Sequence, residues 1–241
     1  MTQRIAIVTG AGKRVGRSIA DALLADGWAV VAHVHQGGDQ APEGAIKVVA
    51  DLAEPGCAET ILGACPEAPH LLVNNAARFV PDELVAFSPS EFAVHMAVNV
   101  QAPALLTSAF AAAAKDSVVD RLIVNILDAK LAAPNPDFLS YTLSKAALAN
   151  LTELSARALA ERGIRVNGIA PALMLPSGEQ TAENFARAHA LNPLGRGVTP
   201  AAVITALRFL LDSTTVTGEV LTLDGGQRFM ALPRDVQFLD L

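Results

Sequence analysis

The stretch Ile5-Ala6-Ile7-Val8-Thr9-Gly10-Ala11-Gly12-Lys13-Arg14-Val15-Gly16 decides the fold. A short, β-branched apolar run leads into a glycine-rich turn, and an amphipathic helical pattern comes after it. Gly10 permits the tight turn and Gly16 permits close helix–strand approach, while the helix start offers free N–H groups and the positive end of a dipole. Glycines alone would suit any strand-to-helix turn. With a strand before and a helix after, the segment reads as a pyrophosphate cradle and Gly10, Lys13, Arg14 and Val15 as its contacts.

Outward from this turn, apolar runs alternate with helical patterns. Strands are predicted at residues 4–9, 28–33, 46–50, 71–74, 121–126, 165–169 and 219–223, and helices at 15–25, 58–64, 91–115, 140–161, 182–190 and 201–211. The strands are apolar throughout, as expected where helices cover both faces of a parallel sheet. The fold class is therefore α/β, Rossmann-like and doubly wound, with residues 1–241 as one domain. Residues 35–44 read as a loop that leaves the second crossover without a proper helix. Residues 172–181, Pro- and Gly-containing, open a substrate lid at about 172–190. Gly163 suits a helix C-cap and Pro200 the first turn of the last helix.

A hydrophobic share of 51% against 17% charged residues implies a large core, and a net charge of −6 opposes nucleic acid or an anionic membrane as partner. Cys57 and Cys65 flank one predicted helix without a second pair, so they read as buried free thiols and no metal site is expected. No basic-then-apolar leader opens the chain and no stretch reads as long enough to span a bilayer, so a cytoplasmic location is expected.

In a dinucleotide site the second strand commonly closes on a carboxylate for the adenosine ribose. Here it closes on His33-Val34-His35-Gln36, with no carboxylate before Asp39, while Lys13 and Arg14 stand in the phosphate turn. That pattern favours NADP(H) over NAD(H); the alternative is that both cations are solvated surface charges. Asp51, followed by Leu52, reads either as an adenine contact or as a cap.

Tyr141-Thr142-Leu143-Ser144-Lys145 contains the chain's one tyrosine, with the lysine one helical turn away on the same face. A nearby ammonium is expected to lower the phenol's pKa and make it a usable proton donor and acceptor.

Together with Asn74-Asn75-Ala76, Asn99 and Asn167-Gly168-Ile169-Ala170-Pro171, these motifs resemble the classical short-chain dehydrogenases/reductases from Arg4 to about Arg228. The resemblance implies a seven-stranded sheet of order 3-2-1-4-5-6-7 and a Tyr141/Lys145 catalytic pair. It implies that Lys145 holds the nicotinamide ribose, that Asn75 and Ala76 line the cofactor, and that Asn99 supports a water leading to Lys145. Thr9 and Pro171 become structural and cofactor-contacting positions. One departure stands out: Asp128 replaces the family serine thirteen residues before the tyrosine. A hydroxyl stabilises the alkoxide of a reduced carbonyl. A carboxylate would repel that alkoxide but favour a protonated C=N group. The alternative is that Asp128 turns away and caps a loop.

Asp128, Arg14, His33, His35 and Phe79 are shared with the pteridine reductase and dihydromonapterin reductase branch. In that branch Arg14 would face the pterin and the phosphates, and Phe79 would stack on the pterin. Asp128 and Tyr141 would manage the proton. Phe79 could equally be a core or subunit-contact aromatic. The expected activity is NADPH-dependent reduction of a C=N bond in a pterin or dihydrofolate-type substrate. The alternatives are a carbonyl or alcohol substrate, or a non-catalytic NADP-binding sensor. By resemblance a homotetramer is expected, with Ala146, Ala147 and Leu151 at an interface and Phe229, Met230, Phe238 and Leu239 reaching a neighbour.

Overall fold

Along β1 (Ile5–Val8), Ile5 and Ile7 enter one core while Ala6 and Val8 enter another. The period-2 alternation of a strand makes two apolar layers, so helices must cover both faces. The computed structural model describes residues 3–114, 119–176 and 180–239. The further strands are β2 (Ala29–Val34), β3 (Ile46–Val49), β4 (Leu71–Asn74), β5 (Arg121–Ile126), β6 (Ile164–Pro171) and β7 (Val220–Leu223). Every pairing is parallel, in the order β3-β2-β1-β4-β5-β6-β7, as the resemblance implied.

The helices are α1 (Arg14–Ala25), α2 (Cys57–Gly63), α3 (Pro89–Met96), α4 (Ala102–Ala113), α5 (Leu139–Leu159), α6 (Ala182–Ala190) and α7 (Pro200–Asp212). Ile19, Ala20 and Leu23 of α1 pack with Val203, Leu207 and Leu210 of α7 on one face of the sheet. On the other, α2 and α4 supply Ile61, Leu106 and Phe110. The chain is a single α/β domain. Gly163 caps the end of the α5 region in the left-handed conformation, and Pro200 opens α7 behind a Thr199 cap.

Three expectations need correction. The long helix predicted at 91–115 is two helices joined by a π turn, Ala97–Gln101; its last predicted residue, Lys115, lies outside the described residues, as do 177–179 of the lid. Pro103 supplies the reason. It has no N–H, and in a regular helix its ring would meet the carbonyl four residues back, at Asn99, so the turn widens there. The run Pro89–Ala113, 25 residues at a hydropathy of 1.3, is also long and apolar enough to cross a bilayer by length and composition. Much of that apolarity is alanine, and Ala102, Leu106 and Phe110 spend it on the core. Finally, Cys57 is buried but Cys65 is only half-buried, because α2 ends before it.

α5 is pinned by a buried polar chain. Asn74 donates to Asn125 at 2.8 Å, Asn125 to Thr152 at 2.9 Å, and Thr152 to the Leu148 carbonyl at 2.9 Å. These bonds tie β4 and β5 to the middle of the helix and thereby fix where its first turn lies. Phe110, fully buried beneath it, is the largest side chain of that layer. Phe110→Ala is expected to lower unfolding stability by about 3–5 kcal/mol, read as a lower urea midpoint at unchanged slope.

Candidate active site

The strand order reverses between β1 and β4, since the chain runs from β1 out to β2 and β3 and then crosses back to β4, and a cleft of about 1390 Å³ opens at the strands' carboxyl ends there. Of the residues singled out from sequence, Gly10, Lys13, Arg14, Val15, His33, His35, Asp51, Leu52, Asn75, Ala76, Phe79, Asp128, Tyr141, Lys145 and Pro171 all line it. Asn99 stands behind the wall, fully buried.

The phosphate turn has no room for side chains. A methyl group on Gly16 would collide with the Gly10 carbonyl and the Asn75 amide, and Gly10 has φ +65° with Ala76 only 3.0 Å from where its Cβ would be. No side chain caps the start of α1, so its first N–H groups remain available to an anion. These residues fit the pyrophosphate of a dinucleotide.

The turn is shaped by backbone pegs. The Thr9 hydroxyl accepts from the N–H groups of Asn75 (2.9 Å) and Ala76 (3.0 Å), joining the ends of β1 and β4. Asn75 returns its amide to the Thr9 carbonyl at 2.8 Å. His33, 2% exposed, accepts from Gly10 N–H at 3.1 Å through Nδ1 and donates to the Ala50 carbonyl at 3.0 Å through Nε2. Burial pushes its pKa down, which keeps the ring neutral and suited to this double role. His33 thus holds the turn from behind, with both nitrogens engaged. His35 is largely exposed, 4.0 Å from Asp51. Asp51 takes the Ala53 N–H at 2.9 Å, the cap alternative, while still bordering the cleft.

Arg14 departs from the expected placement. Its guanidinium donates to the carbonyls of Pro176 (2.7 Å) and Leu175 (3.4 Å), so it bridges the phosphate turn to the lid. Its backbone is left-handed, φ +53°, which is uncommon for a residue with a side chain.

At the other end, the Tyr141 hydroxyl donates to Asp128 Oδ2 at 2.9 Å. Asp128 Oδ1 accepts the Lys130 N–H at 2.8 Å, so the loop cap and the tyrosine contact, set out as alternatives, both hold. Lys145 donates to the Ile126 carbonyl at 2.6 Å, and its ammonium lies 5.7 Å from the Tyr141 ring centre. The expected lowering of the phenol is reversed. Burial, then the charge and hydrogen bond of Asp128, push the Tyr141 pKa well up. The lysine does not offset this because it is drawn to the Ile126 carbonyl. Burial also raises the Asp128 carboxyl, against the Lys130 N–H, the Tyr141 hydrogen bond and the Lys145 charge. Burial drives Lys145 down to about 8, against the charge of Asp128.

Asn99 exchanges both of its polar ends with the Arg78 backbone, accepting at 2.7 Å and donating at 3.0 Å, and also donates to Ser144 Oγ at 2.9 Å. It braces the loop after β4 against α5. Phe79, on that loop, stacks face to face on Phe138 (4.4 Å between centres) and meets Tyr141 edge-on at 4.7 Å. In the tail, Phe238 stacks on Phe138 of its own chain at 5.6 Å while its ring stays 47% exposed.

Sequence reading missed Ser144, His95, Asp82 and Phe138. Ser144 accepts from Asn99 and donates to the Tyr141 carbonyl. His95, fully buried, accepts from Val80 N–H and holds the Phe79 loop. Asp82 receives the Ser140 N–H and hydroxyl and so caps α5 across 58 residues. Phe138 precedes α5 at φ +55°. Ser144 sits inside the Tyr-Lys motif and was within reach of inspection; the others act across long separations with no local signature.

This fold and site define an NAD(P)-dependent oxidoreductase. The enoyl-(acyl carrier protein) reductase family model matches residues 10–228. The chain is 30% identical to pteridine reductase 1 of Leishmania tarentolae, over 93% of this chain and 96% of that protein. It is 32% identical to L-xylulose reductase of Bos taurus, over 92% and 96%. It superposes with a TM-score of 0.84 and 33% identity on FolM alternative dihydrofolate reductase 1 of Brucella suis in complex with NADP, covering 94% and 95%. The chain belongs to the short-chain dehydrogenase/reductase family.

Lys145 binds protons less readily in the fold than in the unfolded chain, where its value is 10.5 against about 8 when folded. Between those values the unfolded state holds more protons, so stability rises with pH. Urea unfolding at pH 7.5 and 10.5 is expected to show a gain of roughly 3 kcal/mol for the native chain over Lys145→Met, which lacks the titration.

Proposed function

We propose that the protein is an NADPH-dependent reductase of a C=N bond in a reduced pterin or dihydrofolate-type substrate. The observation that carries this reading is the part-buried Tyr141–Asp128 hydrogen bond at 2.9 Å, which puts a carboxyl where a carbonyl reductase needs a neutral hydroxyl. The developing alkoxide of a ketone would meet the negative charge of Asp128. An imine nitrogen is instead protonated before the hydride arrives, so the group carries the opposite charge and hydride transfer leaves it neutral. Asp128 and Tyr141 hold the proton that this nitrogen takes, and Asp128 oxygens offset the iminium charge.

When bound, the nicotinamide supplies the hydride. Gly10, Val15, Asn75, Ala76 and the start of α1 would hold the dinucleotide, with Leu52 and Pro171 at its flanks. Lys145 would bond its ribose, which the lysine's position beside Tyr141 supports. Lys13 and the absence of a carboxylate at the end of β2 favour the 2′-phosphate, as does the NADP bound by the Brucella relative. Phe79 borders the cleft with one face on Phe138. A flat heterocycle stacked there gains about 0.5–1.5 kcal/mol beyond burial. Assembly as a homotetramer belongs to the same reading. Leu143 and Leu154 on α5 are exposed apolar positions that such packing would cover.

NADPH oxidation with a 7,8-dihydropterin tests the proposal. Turnover is expected in the native chain, with a loss of at least about 100-fold in Tyr141→Phe, the scale of a positioned proton donor. Asp128→Ser should lose pterin turnover and gain ketone turnover. Ketone reduction by the native chain that Asp128→Ser abolishes would overturn the reading in favour of a carbonyl substrate.

A further inference from the structure

α5 carries Tyr141 in its first turn, yet the helix has no cap of its own. Phe138 stands at the N-cap position without a side-chain bond, and the first turn holds no acidic residue. The first N–H groups of a helix have no partner within it and must find one elsewhere. They find it on the loop after β4. Asp82 accepts the Leu139 N–H on its backbone carbonyl at 3.3 Å and the Ser140 N–H on its carboxylate oxygens at 3.0 and 3.2 Å. The Ser140 hydroxyl, fully buried, donates to the same carboxylate. A negative group at this end also meets the positive end of the helix dipole.

The same loop meets Tyr141 from two further sides. Arg78 exchanges both backbone groups with Asn99, whose amide donates to Ser144 Oγ, and Ser144 in turn donates to the Tyr141 carbonyl at 2.7 Å. Phe79 lies edge-on to the phenol ring at 4.7 Å. Between these points the loop is itself fixed, because buried His95 accepts the Val80 N–H at 3.4 Å and bonds the Glu91 carbonyl through Nδ1 at 2.8 Å. Residues 78–82 therefore grip Tyr141 at the residue before it, at its own carbonyl and at its ring. The Asp82 contact differs from the other two in carrying a charge and in supplying an end that the helix otherwise lacks.

We propose that Asp82 is a positioning residue for the proton transfer. Its carboxylate sets where the first turn of α5 begins, and so holds the Tyr141 hydroxyl against Asp128 Oδ2 and beside the ring of Phe79. Small displacements matter here: a hydrogen bond of 2.9 Å is lost within less than an ångström, and a misplacement of about 1 Å at a reacting group can cost about 100-fold in rate. Without the carboxylate the first turn has no local cap to fall back on and frays. The chain entering the helix has its own anchor, since Asp137 accepts from Arg234 Nε at 2.9 and 2.8 Å and from the Asp235 N–H at 2.7 Å. Loss of Asp82 therefore falls on the turn that bears Tyr141 rather than on the fold as a whole.

The test uses the full chain and has two arms. In the first, the Asp128 carboxyl is titrated by 13C NMR. Asp82→Ala should move its midpoint up, toward that of Tyr141→Phe, because the phenol no longer stabilises the ionised form. Loss of a negative charge alone would move it down, so the direction separates positioning from electrostatics. Lys130, Lys145 and Asp235, the other groups that act on Asp128, are the same in every variant. Asp82→Asn, which keeps an acceptor for Ser140, should not move the midpoint up. In the second arm, which rests on the pterin reading, Asp82→Ala should lower kcat for a 7,8-dihydropterin about 10–100-fold, with KM and NADPH affinity within about twofold. Asp82→Asn should recover most of that loss. Asp120→Ala strips the carboxylate from Arg165 at the amino ends of the strands, away from the cleft, and as a destabilised control should keep kcat near native. An Asp128 midpoint that stays put or falls in Asp82→Ala overturns the proposal, as does an equal kcat loss in Asp120→Ala. If Asp82→Ala does not fold, Ser140→Ala, which removes the hydroxyl bond, should raise the midpoint by less, and no movement overturns the proposal. Absence of dihydropterin turnover in the native chain overturns the pterin reading and leaves the titration to decide this one.

Discussion

The hydrogen bond from the Tyr141 hydroxyl to Asp128, part-buried at the wall of the cleft, is the constraint on which the site depends. Two acids share one proton beside a buried lysine, and each of the three resists its charged form because burial removes hydration. Such a cluster costs stability unless the frame holds its members in place. The frame does so with uncharged partners. The Ile126 carbonyl takes Lys145, the Lys130 N–H takes the second Asp128 oxygen, and Ser144 takes the hydrogen bond that locks Asn99 to α5.

The same economy runs through the cofactor end. Thr9, His33 and Asn75 spend their polar groups on backbone, so the phosphate turn is shaped before any ligand arrives. A turn already shaped does not have to be ordered at binding, and affinity benefits from the avoided cost. Cation placement obeys a different rule. Arg14 is engaged on the lid, and Arg78, Arg228 and Arg234 are each committed to a carboxylate. Lys145, like Arg14, bonds only backbone carbonyls, so these two cations face the cleft without a carboxylate of their own.

Sequence legibility tracked the range of the interactions. The phosphate turn, the Tyr-Lys spacing, the strands Leu71–Asn74 and Arg121–Ile126 and the helix Ala182–Ala190 rest on neighbours within a few residues, and all were readable. Asp128 was readable as a departure, although its two simultaneous bonds were visible only in the fold. The direction of the Tyr141 pKa was not readable, because spacing showed the lysine nearby but could not show it turned to the Ile126 carbonyl. Asp82 capping Ser140, Asn99 bracing Arg78 and Phe238 stacking on Phe138 join positions 58, 21 and 100 residues apart in sequence. No periodicity or local composition marks such partners. The π turn was missed for a related reason: Pro103 was in plain view, but a proline in a helical pattern signals a break or kink before it signals a widened turn.

The central claim is that Asp128 and Tyr141 are one coupled proton site. It is tested most directly by a carboxyl-13C NMR titration of aspartate-labelled protein, assigned with Asp128→Asn and repeated in Tyr141→Phe. The account predicts that Asp128 titrates above the ordinary carboxylate value of 3.8, and moves higher still when the phenol that stabilises its ionised form is removed. An Asp128 that titrates at the ordinary value and does not respond to the loss of the hydroxyl would contradict it.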